Sequence, residues 1–371
     1  MHQAHFSLLS RTGWFRLFVT AVSVAGIAIP ASGCSATIKG NAVISTIPLG
    51  DNVFAGELAI DPASGTLYAA TIASDRDDPR TNIYTLSVID MTSKAARSVI
   101  PLPAYPSDIA FDSTTRSLYV VSALDRRERR GLLTVIDGKT NAITANVHTG
   151  TYSMRVDVDE NTHTAYILSQ GTVEDVDGLH YNSTMSALPE GATSVTAAVP
   201  VAVGYGKDIA VEARSNTAFV VDGEVDMIDL VTHSRTRTSR LPYGESARAE
   251  IALFDSGTGK LVVVNQEGDL VVADSTMAEF RRHVGFGKRK DSKGLDLMYT
   301  ATLDPATHTV YVAGNAFSDD TDEIKMIDTV TGASTGTLRV EDPHSLAVDS
   351  KTHTLYVLID GAVAIFPSTA M

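Results

Sequence analysis

Three histidines stand in one phrase: Thr162-His163-Thr164, Thr307-His308-Thr309 and Thr352-His353-Thr354. Imidazole is a ligand for zinc and related metals, so three in matching settings raise the question of a shared metal site. A second group is mostly acidic. Glu57, Asp108, Asp208 and Glu250, with Arg155, Asp157 and His344, lie in or beside short alternating runs such as "ELAID", "DIAFD", "MRVDVD" and "DIAVE". Carboxylates and an arginine gathered round one opening would hold a cation or a polar ligand. Whether either group does such chemistry depends on the elements that carry it.

Those elements repeat. An acid stands six residues before each "LY"-like pair, at Asp61, Asp112, Asp159, Glu212, Asp255, Asp304 and Asp349, at intervals of 43 to 53 residues. Before each acid runs an alternating segment, and after it a polar turn leads to "TLYAAT", "SLYVVS", "TAYILS" or "TVYVAG". A third run ends in "SVID", "TVID" or "KMID", and a fourth resembles "ITANVHTG". Helical periodicity is nearly absent. Four short β-rich runs in a repeat of about 48 residues predict a four-stranded propeller blade. The expected fold is therefore all-β, a seven-bladed β-propeller over residues 41–371.

The repeat decides the histidines. Their position is filled elsewhere by Gly65, Arg116, Asn216 and Gly259, which predicts a turn residue with φ above zero. Equivalent turns on separate blades lie too far apart to share a metal. The acids are different, because four residues before the repeated acid come Glu57, Asp108, Arg155, Asp208, Thr300 and Ser345, all at the inner strand. Glu250 joins them if the fifth copy carries a one-residue bulge. Asp157 stands where other copies have Ala59, Ala110, Ala210 and Ala347. These residues, with His344, are expected at the mouth of the central channel as ligand-binding candidates.

The seventh copy ends after "GAVAIF" with too little chain for an outer strand, whereas "NAVISTIPLG" at 41–50 reads as one. The N-terminal strand is expected to complete the last blade and so bury two open sheet edges. Copies 1, 2, 3 and 6 carry extra residues between their second and third strands, at 74–82, 125–131, 171–182 and 317–323. The longest blade connector, 284–296, is expected on the same face. Insertions on one face of a repeat protein mark a binding surface.

Composition bounds the partners. The net charge is −14, so the chain lacks the basic surface of a nucleic-acid binder. Two short patches, "DRRERR" and "GKRK", keep nucleic acid only as a lesser alternative. Residues 1–33 combine a basic start, a short apolar run and small residues, which predicts an export signal. Cys34, the sole cysteine, follows Ala31-Ser32-Gly33. This setting resembles a bacterial lipobox, implying acylation of Cys34, residues 35–40 as a tether, and an envelope location on the extracytoplasmic side of a membrane.

The phrases "LYVV", "VYVAG" and "VIDxxT" resemble the YVTN-repeat β-propellers, including YncE-like exported proteins, over roughly residues 41–371. The resemblance implies the fold more than a function. No nucleophile elbow, His-Glu-x-x-His zinc motif, phosphate loop or dinucleotide fingerprint occurs. The expected function is a non-catalytic, monomeric binding or scaffold module meeting an envelope protein, glycan or small ligand on the insertion face, with the lipid anchor its only membrane contact. No cofactor is expected, a divalent cation at the channel mouth being the one the acids could take. The enzymatic alternative is a metal-assisted lactonase or lyase, which requires Glu57, Asp108, Asp208, Glu250 and His344 to converge.

Overall fold

The computed structural model describes residues 45–368, except 51, 75–81, 126–129, 151, 176–177, 197, 204–205, 243–247, 284–297 and 316–321. The expectations for residues 1–33, Cys34 and the tether lie outside the described residues. So do the connector 284–296 and most of the insertions at 74–82, 125–131 and 317–323.

The described strands form seven four-stranded antiparallel sheets, and among the described residues there is no α-helix. This is the expected seven-bladed β-propeller. The inner strands are Val53–Asp61, Tyr105–Asp112, Tyr152–Asp159, Asp208–Glu212, Ala249–Asp255, Met298–Asp304 and Ser345–Asp349. The repeated acid is the last residue of each. Second strands such as Thr66–Ser74 and Thr354–Ile359 are buried along most of their length. They are correspondingly continuous in apolar residues, as strands covered on both faces must be.

The core is divided among the seams. Each of the seven apolar clusters draws its residues from two neighbouring blades, and every pair of neighbours around the ring has one. A blade therefore buries its faces against its neighbours, and a lone blade would leave both faces wet. Closure follows the same logic. Ser45–Pro48 pairs antiparallel with Ala362–Phe366, giving the last sheet the order N-terminal strand, third, second, first. Ile47 of that strand is buried in the cluster between blades 7 and 1, beside Leu58, Leu67 and Leu358.

The turns explain why the repeat keeps its acid. Asp61 Oδ1 accepts the backbone N–H groups of Ala63 and Ser64, and Asp112 Oδ1 those of Thr114 and Thr115. Asp159 and Asp255 do the same for the residues two and three places on. Aspartate favours such turns because its short carboxylate reaches its own backbone. The turn closes with a left-handed residue in all seven copies: Gly65, Arg116, His163, Asn216, Gly259, His308 and His353 have φ between 51° and 67°. The third–fourth turns reuse the device at Asp90, Asp137, Asp229 and Asp328.

One insertion takes a form that the sequence does not announce. Residues 171–175 and 178–182 continue the second and third strands of blade 3. Thr164–Asp175 and Gly178–Pro189 stay paired from Thr164↔Pro189 out to Asp175↔Gly178. The result is an ordered ribbon twice the length of the six-residue strands in blade 4.

Closure by the N-terminal strand has a measurable value. Ile47→Ala opens a cavity in the 7/1 core and should lower unfolding free energy by about 2–5 kcal/mol, read by urea denaturation. A loss below about 0.5 kcal/mol would mean the strand does not close the ring.

Candidate functional site

The three repeated histidines do not share a site. Each reaches back to the preceding blade: His163 Nδ1 lies 2.8 Å from Asp112 Oδ2, His308 Nδ1 3.0 Å from Asp255 Oδ2, and His353 Nδ1 2.7 Å from Asp304 Oδ2. Arg116 does the same in blade 2, donating from Nε to Asp61 Oδ2 at 2.8 Å. The acid ends its own strand, closes its own turn and receives the next blade's left-handed residue. Asp61 shows the balance. Burial pushes its carboxyl up, but hydrogen bonds from Ser64 and Arg116 outweigh it and hold the group below the usual range. The same acids, with burial as the larger cause, push the phenols of Tyr68, Tyr166, Tyr311 and Tyr356 up to about 12.

The acidic group does come together. A cavity of about 680 Å³ runs through the centre of the ring, lined by Glu57, Asp108, Arg155, Asp157, Asp208, Thr300 and His344 among others. The lining extends down the inner strands to Ser256 and Pro305 of the first–second turns. Glu57, Asp108 and Arg155 stand within their inner strands, whereas Asp208 and Ser345, at the same repeat position, begin theirs. Glu250 falls at the expected bulge between Ala249 and Ile251, where Lys207 Nζ lies 3.3 Å from its carboxylate. His344 points Nε2 at Asp360 Oδ1, 2.7 Å away.

Three of the acids are also structural ties between blades. Asp108 Oδ2 accepts Val156 N–H at 2.9 Å, Asp157 Oδ2 accepts Val211 N–H at 2.7 Å, and Asp208 Oδ2 accepts Ala252 N–H at 2.9 Å. Ser345 Oγ accepts Leu58 N–H at 3.1 Å across the closing seam. An inner strand has an unpaired edge facing the channel, and these side chains satisfy its amides. This use was missed in the sequence. Its trace was present, since an acceptor stands four places before the repeated acid in blades 1, 2, 4, 6 and 7.

Arg155 and Glu57 differ from these acids in capping no amide of a neighbouring blade among the described residues. Arg155 Nη1 donates to the carbonyls of Ser107 and Met154, and Nε lies 3.5 Å from Asp208 Oδ1. Its Nη2 has no partner among the described residues. Glu57 lines the same cavity. Burial and then the charge of Asp108 push its carboxyl well up. Burial is also the main cause that raises Asp108, and that lifts Asp157 and Asp208 to about 7. Glu57, Asp157 and Asp208 are thereby placed to bind or exchange protons near neutrality.

They are not arranged for a metal. Among the described residues no three His, Cys, Asp or Glu side chains gather closely enough to hold one. The convergence of Glu57, Asp108, Asp208, Glu250 and His344 that metal-assisted catalysis requires is thus not present.

Fold and channel define the class: a seven-bladed β-propeller with a charged axial cavity. No family model matches the chain, and no curated protein matches it by sequence. Among solved structures it is similar to hydrazine synthase from Kuenenia stuttgartiensis, with a TM-score of 0.66 at 11% identity over 90% of this chain and 100% of that one. It is likewise similar to the β-propeller domain of Cps50 (Swd1) from Myceliophteria thermophila, with a TM-score of 0.62 at 12% identity over 87% and 98%. At such identities the likeness concerns the fold.

The raised carboxyls set the direction of a pH effect. With folded values near 7 for Asp157 and Asp208 and about 4 when unfolded, the folded chain binds more protons between these limits. Their contribution is whole below about pH 4 and is lost as pH rises through 7. The urea midpoint should therefore fall from pH 5.5 to pH 8. Asp157→Asn, which still accepts the Val211 amide, should shrink that fall. An equal fall in the variant would contradict the assignment.

Proposed function

We propose that this chain is a non-catalytic binding module of the bacterial envelope, belonging with the YVTN-repeat, YncE-like propellers. In this reading residues 1–33 direct export and acylated Cys34 tethers a monomeric propeller to a membrane. The repeated "LYV" and "VID" phrases, the sole cysteine behind small residues and the propeller fold all support it. The ligand is a small polar molecule held in the channel, and an envelope protein or glycan meets the face that carries the long second–third hairpins.

One observation carries the binding role. After the inter-blade ties are made, a cavity of about 680 Å³ still has an arginine nitrogen and a raised carboxyl turned to it. Pockets of this size, with a few converging polar groups, suit small ligands.

The test has two parts. Native mass spectrometry of full-length protein prepared from envelopes should show a small molecule retained by the wild type. Its occupancy should drop at least about tenfold in Arg155→Gln, the loss expected of one charge-assisted hydrogen bond. Pull-down from envelope extract should lose its partner when the blade-3 ribbon is cut back to minimal length. Equal occupancy in wild type and Arg155→Gln, together with unchanged partners for the shortened protein, would defeat the proposal.

A further inference from the structure

Because the seven copies repeat one plan, each serves as a control for the others, and copy 5 departs at one informative position. Five residues after the repeated acid stand Thr66, Ser117, Thr164, Thr217, Thr309 and Thr354, but the fifth copy has Lys260. Two residues earlier every copy keeps a hydroxyl, Thr258 in the fifth. In three of those copies the two hydroxyls bond, Ser64 with Thr66 at 2.8 Å, Thr307 with Thr309 at 3.0 Å and Thr352 with Thr354 at 2.9 Å; in the other three the pair is joined through backbone, Ser117 N–H donating to Thr115 Oγ1 and Thr164 and Thr217 donating to the carbonyls of Thr162 and Ser215. Lysine at 260 removes that partner, and Thr258 Oγ1 is buried with no hydrogen bond. Buried polar groups left this way are uncommon and call for an explanation.

The same place is hollow. A second cavity, of about 450 Å³, lies at the seam of blades 5 and 6, with Thr258, Lys260, Val272 and Arg281 on one side and Val330 on the other. Lys260 pairs across the sheet with Asp274, and Val272 with Arg281, so the two cations share a face. That face is turned to blade 6, since Val272 packs with Val310 and Val312. Neither cation makes a side-chain hydrogen bond or a close ion pair among the described residues, although the Lys260 charge is one of the influences that hold the Asp274 carboxyl down. Two acids also border the cavity. The Asp274 carboxylate is taken up by the N–H groups of Ala278 and Glu279 and the hydroxyl of Thr276. Glu279 is exposed to solvent.

We propose that this cleft is a separate binding site for the oxyanion of a small ligand, a carboxylate or a phosphate. Lys260 and Arg281 meet the charge and the Thr258 hydroxyl donates a hydrogen bond. Val272 and Val330, the latter 52% exposed, receive an apolar part of the ligand. This site is independent of the channel, and its occupant does not depend on the identity of the channel ligand.

The probes are sodium phosphate and sodium acetate, each titrated into full-length protein against sodium chloride at equal ionic strength. Calorimetry and thermal unfolding serve as readouts. At least one oxyanion should raise the wild-type unfolding midpoint beyond chloride. Lys260→Thr should weaken its apparent Kd at least about tenfold, as loss of one charge-assisted contact implies, and Arg281→Gln should weaken it in the same direction. Because Lys260→Thr restores the hydroxyl of the other copies and offers Thr258 the partner seen in three of them, it should melt at or above the wild type in chloride. Three results would each overturn the proposal: oxyanions acting no differently from chloride, binding unchanged in Lys260→Thr, or that variant melting well below wild type, which would make Lys260 a structural residue.

Discussion

A carboxylate with no exposed surface must be given hydrogen bonds, and this molecule is organised round that requirement. Asp61, Asp112, Asp159, Asp255 and Asp304 are fully buried at the ends of their inner strands. An isolated buried charge would be strongly unfavourable. Each is accommodated by its own turn amides, and four of the five also receive a histidine or arginine from the next blade. The turn needs the acid, and the acid needs the neighbouring blade. Local folding and ring assembly are thereby tied to one residue per repeat.

The channel repeats the principle at the inner edge. Asp108, Asp157, Asp208 and Ser345 cap amides of the following blade. This accounts for a charged axis without invoking a ligand for every charge. It also narrows the functional question to the two charged groups of the channel wall that cap no such amide, Arg155 and Glu57. The turn face is built to one pattern seven times, whereas the other face carries the blade-3 ribbon. Variation is thus concentrated where the shared turn chemistry does not constrain it.

Much of the fold was legible in the sequence because the repeat samples each position seven times. Gly, Asn, His and Arg at one position have little in common except tolerance of, or accommodation in, a left-handed turn, and that is where all seven lie. The closing strand was legible for a different reason: copy 7 lacked an outer strand and residues 41–50 supplied one. Partnerships between blades were not legible. Nothing in the spacing of Asp112 and His163 says that the second reaches back to the first, since that depends on how blades stack. The segment "GTVEDVDGLHYN" is polar enough to read as a loop, yet its backbone continues the ladder. Lys260 was visible as the one non-hydroxyl in its column, but its meaning needed the orphaned Thr258 and the hollow beside it.

The dependence of the ring on side-chain ties to neighbouring backbone is open to direct observation by amide hydrogen exchange. The amides of Leu58, Val156, Val211 and Ala252 lie on inner strands and are capped from the adjacent blade rather than by a sheet partner. They should exchange as slowly as amides within the central strands, through opening of the whole ring. Exchange at the rate of frayed edge amides, with the central strands still protected, would show that the ties do not hold the blades together.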